Sequence, residues 1–213
     1  MSELTQVTLR FALYLDLMLL FGLGLFGLYG LKAPERVLLN LRGLLRLTAG
    51  VGIVLSMASL LTLTQAMSGA TDWQTLWPHL HMMLWQTDLG VTWWLRMGAL
   101  VVAALGPSLP LTALSGAAAL VTLAWTGHGV MHEGTLGVWH ILSDGAHLLA
   151  AGGWVGALAA LNRFHLTPLL QRSVAAGDYV AAMAALRRSM VLEMGAGALI
   201  LALVAWLGTL APN

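Results

Sequence analysis

Three stretches of this chain gather imidazole and thioether groups closely enough to share a metal ion. The first is His79-Leu80-His81-Met82-Met83. These ligand types suit copper, and methionine favours the cuprous ion. In an extended segment a His-x-His pair can turn both rings to one ion. On a helix the same spacing separates them by about 200°. The competing reading is an interfacial helix anchored by tryptophan, with Trp73, Trp77, Leu80 and Leu84 on one face and Trp85 nearby. The second stretch is Gly127-His128-Gly129-Val130-Met131-His132. One helical turn would bring His128 and His132 together, although the glycines favour a looser path, and two solvated surface histidines are the alternative.

The third stretch lies inside an apolar segment. His140, Asp144 and His147 fall at i, i+4 and i+7, which puts them on one helical face. His147 lies about 13 Å below the segment's outer end at a rise of about 1.5 Å per residue. Ionisable groups at such depth are costly and mark a pathway or a site. A carboxylate one turn from a histidine can fix its tautomer, as carboxylates do around metals. The alternative is a polar knot holding helices together. Asp16 and Arg96 are further charges in apolar segments, and Arg96 could neutralise a carboxylate. Glu193 stands near Met183, Met190 and Met194, a stripe that packing explains as well as a copper exit does.

Other chemistries are excluded. The chain has no cysteine, so disulfides, thiolate-bound zinc, iron–sulfur clusters and a cysteine nucleophile are out. No nucleophile elbow, zinc-protease motif, phosphate-binding loop or dinucleotide fingerprint occurs, and an enzymatic role is not expected. The net charge of +1 gives no reason to expect a nucleic-acid partner.

The elements that must position these groups are membrane helices. Of 213 residues 59% are hydrophobic and only 9% are charged, too few charges to cover a water-facing globule. The expected fold is all-α: a single polytopic transmembrane helical bundle over residues 1–213, with partners that begin with membrane lipid. A span needs about 20 mostly apolar residues. Six candidates occur, at about 7–31, 44–66, 89–106, 111–130, 138–162 and 188–210. The third and fourth are short and joined by Gly106-Pro107-Ser108-Leu109-Pro110, a turn signal. The first reads as a span and not a cleavable signal peptide, because it is long and lacks a basic start. Lys32, Arg36, Arg42 and Arg46 lie between spans one and two, and Arg163, Arg172, Arg187 and Arg188 between spans five and six. These connections share one side of a six-span serpentine, so that side is cytoplasmic and both termini face outward. Six of the seven histidines then fall in or beside the outward connections or on span five; His165 is on the inner side.

The run Ser143-Asp144-Gly145-Ala146-His147-Leu148-Leu149-Ala150-Ala151-Gly152-Gly153-Trp154-Val155-Gly156-Ala157-Leu158 resembles the signature helix of the copper resistance protein D (CopD) family. That helix has an Asp, a His three residues on, a small-residue run and then Trp-x-Gly-Gly-Leu. Thr87 to Arg96 resembles the family's Thr-x-x-Gly stretch ending Trp-Leu-x-Arg, and Leu186 to Pro212 resembles its last helix. Ala157 departs from the pattern, where a second glycine usually stands, and six spans are fewer than the usual eight. The resemblance implies a multi-pass bacterial inner-membrane protein that imports copper from periplasm to cytoplasm. It directs attention to Asp144, His147, Trp154, Arg96 and Glu193.

The expected function is therefore copper handling, with outer His/Met sites capturing the ion and the polar face of span five receiving it. One alternative is a redox protein holding haem b between two histidines from facing spans, with His128, His132, His140 and His147 as candidates. Another is a subunit that delivers copper to a partner, such as a periplasmic copper-binding protein. A homo-oligomer is compatible with either.

Overall fold

A computed structural model describes residues 3–31, 40–126 and 135–161, with isolated helical positions between 187 and 198. Among the described residues every regular element is helical. These are α1 (Glu3–Tyr29), α2 (Leu41–Ser68), α3 (Trp73–Gln86), α4 (Asp88–Leu105), α5 (Leu109–Val121), a 3-10 turn (Thr122–Thr126) and α6 (Thr135–Leu161). Three of these helices are long and apolar enough to cross a membrane, over Leu4–Tyr29, Leu41–Ser68 and Asp88–Leu105. They coincide with the first three expected spans. The expected fourth is a shorter apolar segment, Leu109–Trp125, closed by the 3-10 turn, and α6 takes in most of the fifth. The expected sixth lies outside the described residues apart from isolated positions.

Helix ends follow from local chemistry. Gly69 takes a left-handed φ of 65° and donates its N–H to the Gln65 carbonyl, which stops α2. Asp72 caps α3 by accepting the Thr75 N–H at 2.9 Å. Thr87 both ends α3 and starts α4: its hydroxyl donates to the Met83 carbonyl at 2.6 Å and accepts the Gly90 N–H at 3.2 Å. The expected turn at 106–110 is present between α4 and α5, with Pro110 in the first turn of α5, where its missing N–H costs nothing. Arg42 donates to the Pro107 carbonyl at 2.8 Å, which ties the start of α2 to that turn.

The bundle is organised around α1, which packs against α2, α5 and α6, while α4 packs against α2 and α5. Leu17 and Leu20 of α1, Leu45 of α2, Leu100 of α4, Leu120 of α5 and Leu123 of the 3-10 turn are fully buried at the centre. A second, smaller cluster of Leu60, Leu80 and Met83 docks α3 across α2 and α4. The buried stripe of α3 is therefore Leu76, Leu80 and Met83. Of the face read as an interfacial anchor, Trp73 and Trp77 are exposed and stack on each other at 5.7 Å, while Leu80 is buried. Their bulk and indole N–H suit an interface better than a tight helix crossing.

Candidate functional site

Helix α3 carries the first expected ligand group, and its helical form separates the members. His79 and His81 are both exposed. His79 donates Nδ1–H to the Thr75 carbonyl at 2.8 Å. That bond selects the tautomer in which Nε2 keeps its lone pair, the form that binds a metal. His81 stands beside Trp85, with ring centres 6.4 Å apart. The aromatic row continues through Trp94, 5.5 Å from Trp85, to Trp93, 4.9 Å from Trp94. Trp93 donates its indole N–H to the Ser56 carbonyl at 3.1 Å. Met82 is exposed, one turn from His79. Met83 is buried, and its sulfur accepts the Thr64 hydroxyl at 3.3 Å. The structure thus places His79 and Met82 within one exposed turn, and turns His81 to the tryptophans and Met83 to the core.

His128, Met131 and His132 lie outside the described residues. On α6, His140, Asp144 and His147 are exposed along one side of the helix, as is Trp154. The opposing stripe is Gly145, Leu148, Gly152 and Gly156, all buried. Two of these glycines, spaced as Gly-x-x-x-Gly, let α6 approach the α1 backbone. A Cβ at Gly22 would lie 2.5 Å from the Gly152 carbonyl oxygen. This backbone contact fixes the rotation of α6, and with it the side on which Asp144 and His147 project. Among the described residues no group of three His, Asp or Glu is arranged to hold a metal ion. Glu193 is half-buried in helical conformation.

The two expected intramembrane charges are both deeply buried, Arg96 at 4% exposure and Asp16 at 7%. They take different partners. Arg96 donates Nε–H to the Thr122 hydroxyl at 2.7 Å and Nη2–H to the Thr122 carbonyl at 3.4 Å. The Thr122 hydroxyl in turn donates to the Ala119 carbonyl at 2.6 Å. Arg96 therefore sits at the C-terminal end of α5, where unpaired carbonyls and the helix dipole favour a cation. This partner was not legible from the sequence, because it depends on α5 tightening into a 3-10 turn at Thr122. Asp16 abuts Gly52 of α2, and its Oδ2 is buried without a hydrogen bond. Ser56 Oγ and Ser59 Oγ are buried and unbonded in the same way. Nothing in the sequence singled out these two serines.

The family model "Copper resistance protein D-like, N-terminal domain" matches residues 1–138. "Copper resistance protein D" of Pseudomonas syringae pv. tomato is 36% identical over 305 aligned positions, taking in all of this chain and 98% of the relative. That alignment is longer than this chain of 213 residues, so the relative carries stretches that this chain lacks. "Inner membrane protein YebZ" of Escherichia coli (strain K12) is 31% identical over 165 positions, covering 74% of this chain and 57% of the relative. No solved structure matches. The all-helical bundle with apolar spans, the family match over more than half of the residues and the full-length likeness agree: this chain belongs to the copper resistance protein D family, as a membrane protein related to copper.

Proposed function

We propose that this protein takes copper from the periplasm and passes it inward across the bacterial inner membrane, as a six-span bundle with both termini outside. The observation that carries this reading is the side of α6 that bears His140, Asp144 and His147. Ionisable groups within an apolar helix face a pathway or a site and not lipid, and the glycine stripe commits the other side of α6 to α1. Copper is the cargo. Imidazole and thioether ligands favour it over harder cations. His79 and Met82 on α3 are the proposed first contact, with His81, His128, Met131 and His132 as further ligands of the outer face, while Met83 is turned to the core. His147 receives the ion with His140, and Asp144 orients His147.

The orientation rests on the eight basic residues of the two inner connections. The hydrogen bond from Arg42 to Pro107 supports the serpentine order on which that orientation depends, because it joins the turn between the third and fourth spans to the same end of the bundle as the start of α2. The deciding experiment is copper uptake by vesicles containing the purified chain, run beside thermal unfolding of the same samples. Asp144→Asn and His147→Ala are expected to abolish uptake while the folded protein still accumulates. Wild-type uptake per folded molecule in His147→Ala would take this residue off the path. A Soret band in the purified protein would instead indicate the haem reading.

A further inference from the structure

The outward side of α3 centres on Trp85. The buried stripe of this helix is Leu76, Leu80 and Met83, and at about 100° per residue Trp85 lies nearly opposite to it. His81 and Met82 precede Trp85 by four and three residues, so both are its neighbours on the helix surface. Helical side chains lean toward the N-terminus, and a residue therefore covers the turn before its own Cα. For Trp85 that turn holds His81 and Met82. The rings agree with this placement: those of His81 and Trp85 are 6.4 Å apart and inclined by 42°. Met82 is 47% exposed and Trp85 64%, so this corner of α3 is open. Behind it Trp94 of α4 stands 5.5 Å from Trp85, and Trp93 meets Trp94 edge-on. Trp93 is tied to α2 through the Ser56 carbonyl. The aromatic row is thus anchored at one end and finishes on an imidazole and a thioether at the other.

These groups select a ligand. The face of an indole carries negative charge and attracts a cation within about 6 Å of the ring centre. The spacing of the two rings leaves an ion held by His81 within reach of that face. Met82 has the flexible, polarisable side chain that can close over the same turn. A cupric ion takes a tetragonal set of nitrogen and oxygen donors, and among the described residues no three His, Asp or Glu gather to supply one. A cuprous ion accepts fewer and softer donors, and thioether favours it. An indole over the ion also keeps water from it, which disfavours the harder cupric state.

We propose that Trp85 is the aromatic wall of a cuprous-ion site whose ligands are the His81 imidazole and the Met82 thioether, with Trp94 backing the indole. This inference rests on the copper reading of α3 and deepens it. It assigns the oxidation state of the captured ion and makes Trp85 a residue that touches it. Met82 is one turn from His79 as well, so a single thioether serves both imidazoles. Binding moves no electron, because the ion arrives and stays as Cu(I).

The test uses the purified full chain in detergent under a mild reductant. Cu(I) affinity is measured by competition with a chromogenic cuprous chelator. Tryptophan emission is followed as silver(I), a redox-inert stand-in of the same charge and closed shell, is added. Wild type should lose part of its emission at one equivalent of silver. Trp85→Leu keeps apolar bulk and removes the indole. It should weaken Cu(I) binding by about two- to thirtyfold, the range of a cation–π contact, and remove most of the silver-dependent emission change. Trp85→Phe, which keeps a weaker aromatic face, should fall between, and it carries the test should Trp85→Leu accumulate poorly. Cu(II) affinity, measured without reductant, should be the same in wild type and both variants. Wild-type Cu(I) affinity in Trp85→Leu, an undiminished emission change, or an equal loss of Cu(I) and Cu(II) binding overturns the proposal. His81→Ala and Met82→Leu separate it from the reading beneath it. Wild-type Cu(I) affinity in both takes copper off the outward side of α3 and ends both readings. Losses in both, with none in Trp85→Leu, leave copper capture standing and overturn the aromatic wall alone.

Discussion

Gly22 of α1 and Gly156 of α6 meet backbone to backbone: a Cβ added at Gly156 would fall 2.6 Å from the Gly22 carbonyl oxygen. The wall is main chain, so neither side can yield by a change of rotamer. Replacing Gly156 by valine forces the helices apart, with an expected cost of about 1–3 kcal/mol from overpacking. It should also rotate or displace α6 and so disturb the side bearing Asp144 and His147. Thermal unfolding of Gly156→Val against Gly153→Val provides the check, because among the described residues a Cβ at Gly153 meets nothing within 4 Å. Equal losses in the two variants would mean that α1 and α6 do not pack through Gly156.

Asp16 and Gly52 form a second close pair. A Cβ at Gly52 would lie 2.7 Å from Asp16 Oδ2 and 3.1 Å from Leu100 Cδ2. On an open helix face Gly→Ala is favourable by roughly 0.5–1 kcal/mol. Here the carboxylate blocks it, and Gly52→Ala is expected to destabilise the protein. In an Asp16→Ala background the obstruction is gone and only the flexible leucine remains, so the same change should become neutral or stabilising. The double-mutant cycle should return a coupling of about 1–2 kcal/mol. Additive effects would show that the two residues are not in contact.

The exposed turn of α3 makes a prediction about copper capture. His79 has its Nδ1–H fixed on Thr75 and Met82 one turn away, whereas Met83 is buried against Thr64. On the proposed function, His79→Ala should weaken copper binding at the outer face by tenfold or more. Met83→Leu, nearly isosteric, should leave copper binding unchanged. Copper titration of the two purified variants compares them directly. A larger loss in Met83→Leu than in His79→Ala would mean that α3 turns its other side to the ion.

Much of this arrangement was legible in the sequence, and the failures have physical causes. Apolar length located α1, α2 and α4 to within a few residues, because a membrane span is set mainly by length and hydrophobicity. The turn at 106–110 and the side of α6 shared by His140, Asp144 and His147 followed from proline, glycine and helical spacing. The buried stripe of α3 was not legible: spacing grouped Trp73, Trp77, Leu80 and Leu84 on an anchoring face, whereas the burial of Leu76 and Met83 depends on how α3 lies across α2 and α4. The partner of Arg96 was hidden for a different reason. A carboxylate is the obvious counter-charge to look for in a sequence, whereas the end of a helix supplies carbonyls from any residue. The unbonded oxygens of Asp16, Ser56 and Ser59 depend on how three helices meet, which spacing along one helix does not encode.

The cap of α3 gives a pH-dependent prediction close to the proposed capture site. Asp72 accepts the Thr75 N–H at 2.9 Å, and this bond holds its carboxyl below the ordinary value of 3.8. A carboxyl depressed in the folded state stabilises it when ionised. The contribution is therefore whole above the ordinary value and is lost as pH falls through the lower, folded value. Between neutral pH and about 5 the first turn of α3, and with it the Thr75 carbonyl that orients His79, should not respond to this group. The Thr75 amide resonance should titrate with a midpoint below 3.8. In Asp72→Asn it should stay flat, because asparagine caps comparably without ionising. A wild-type midpoint at or above the ordinary carboxylate value would show that the carboxylate does not hold the Thr75 amide, and that the first turn of α3 is set by other contacts.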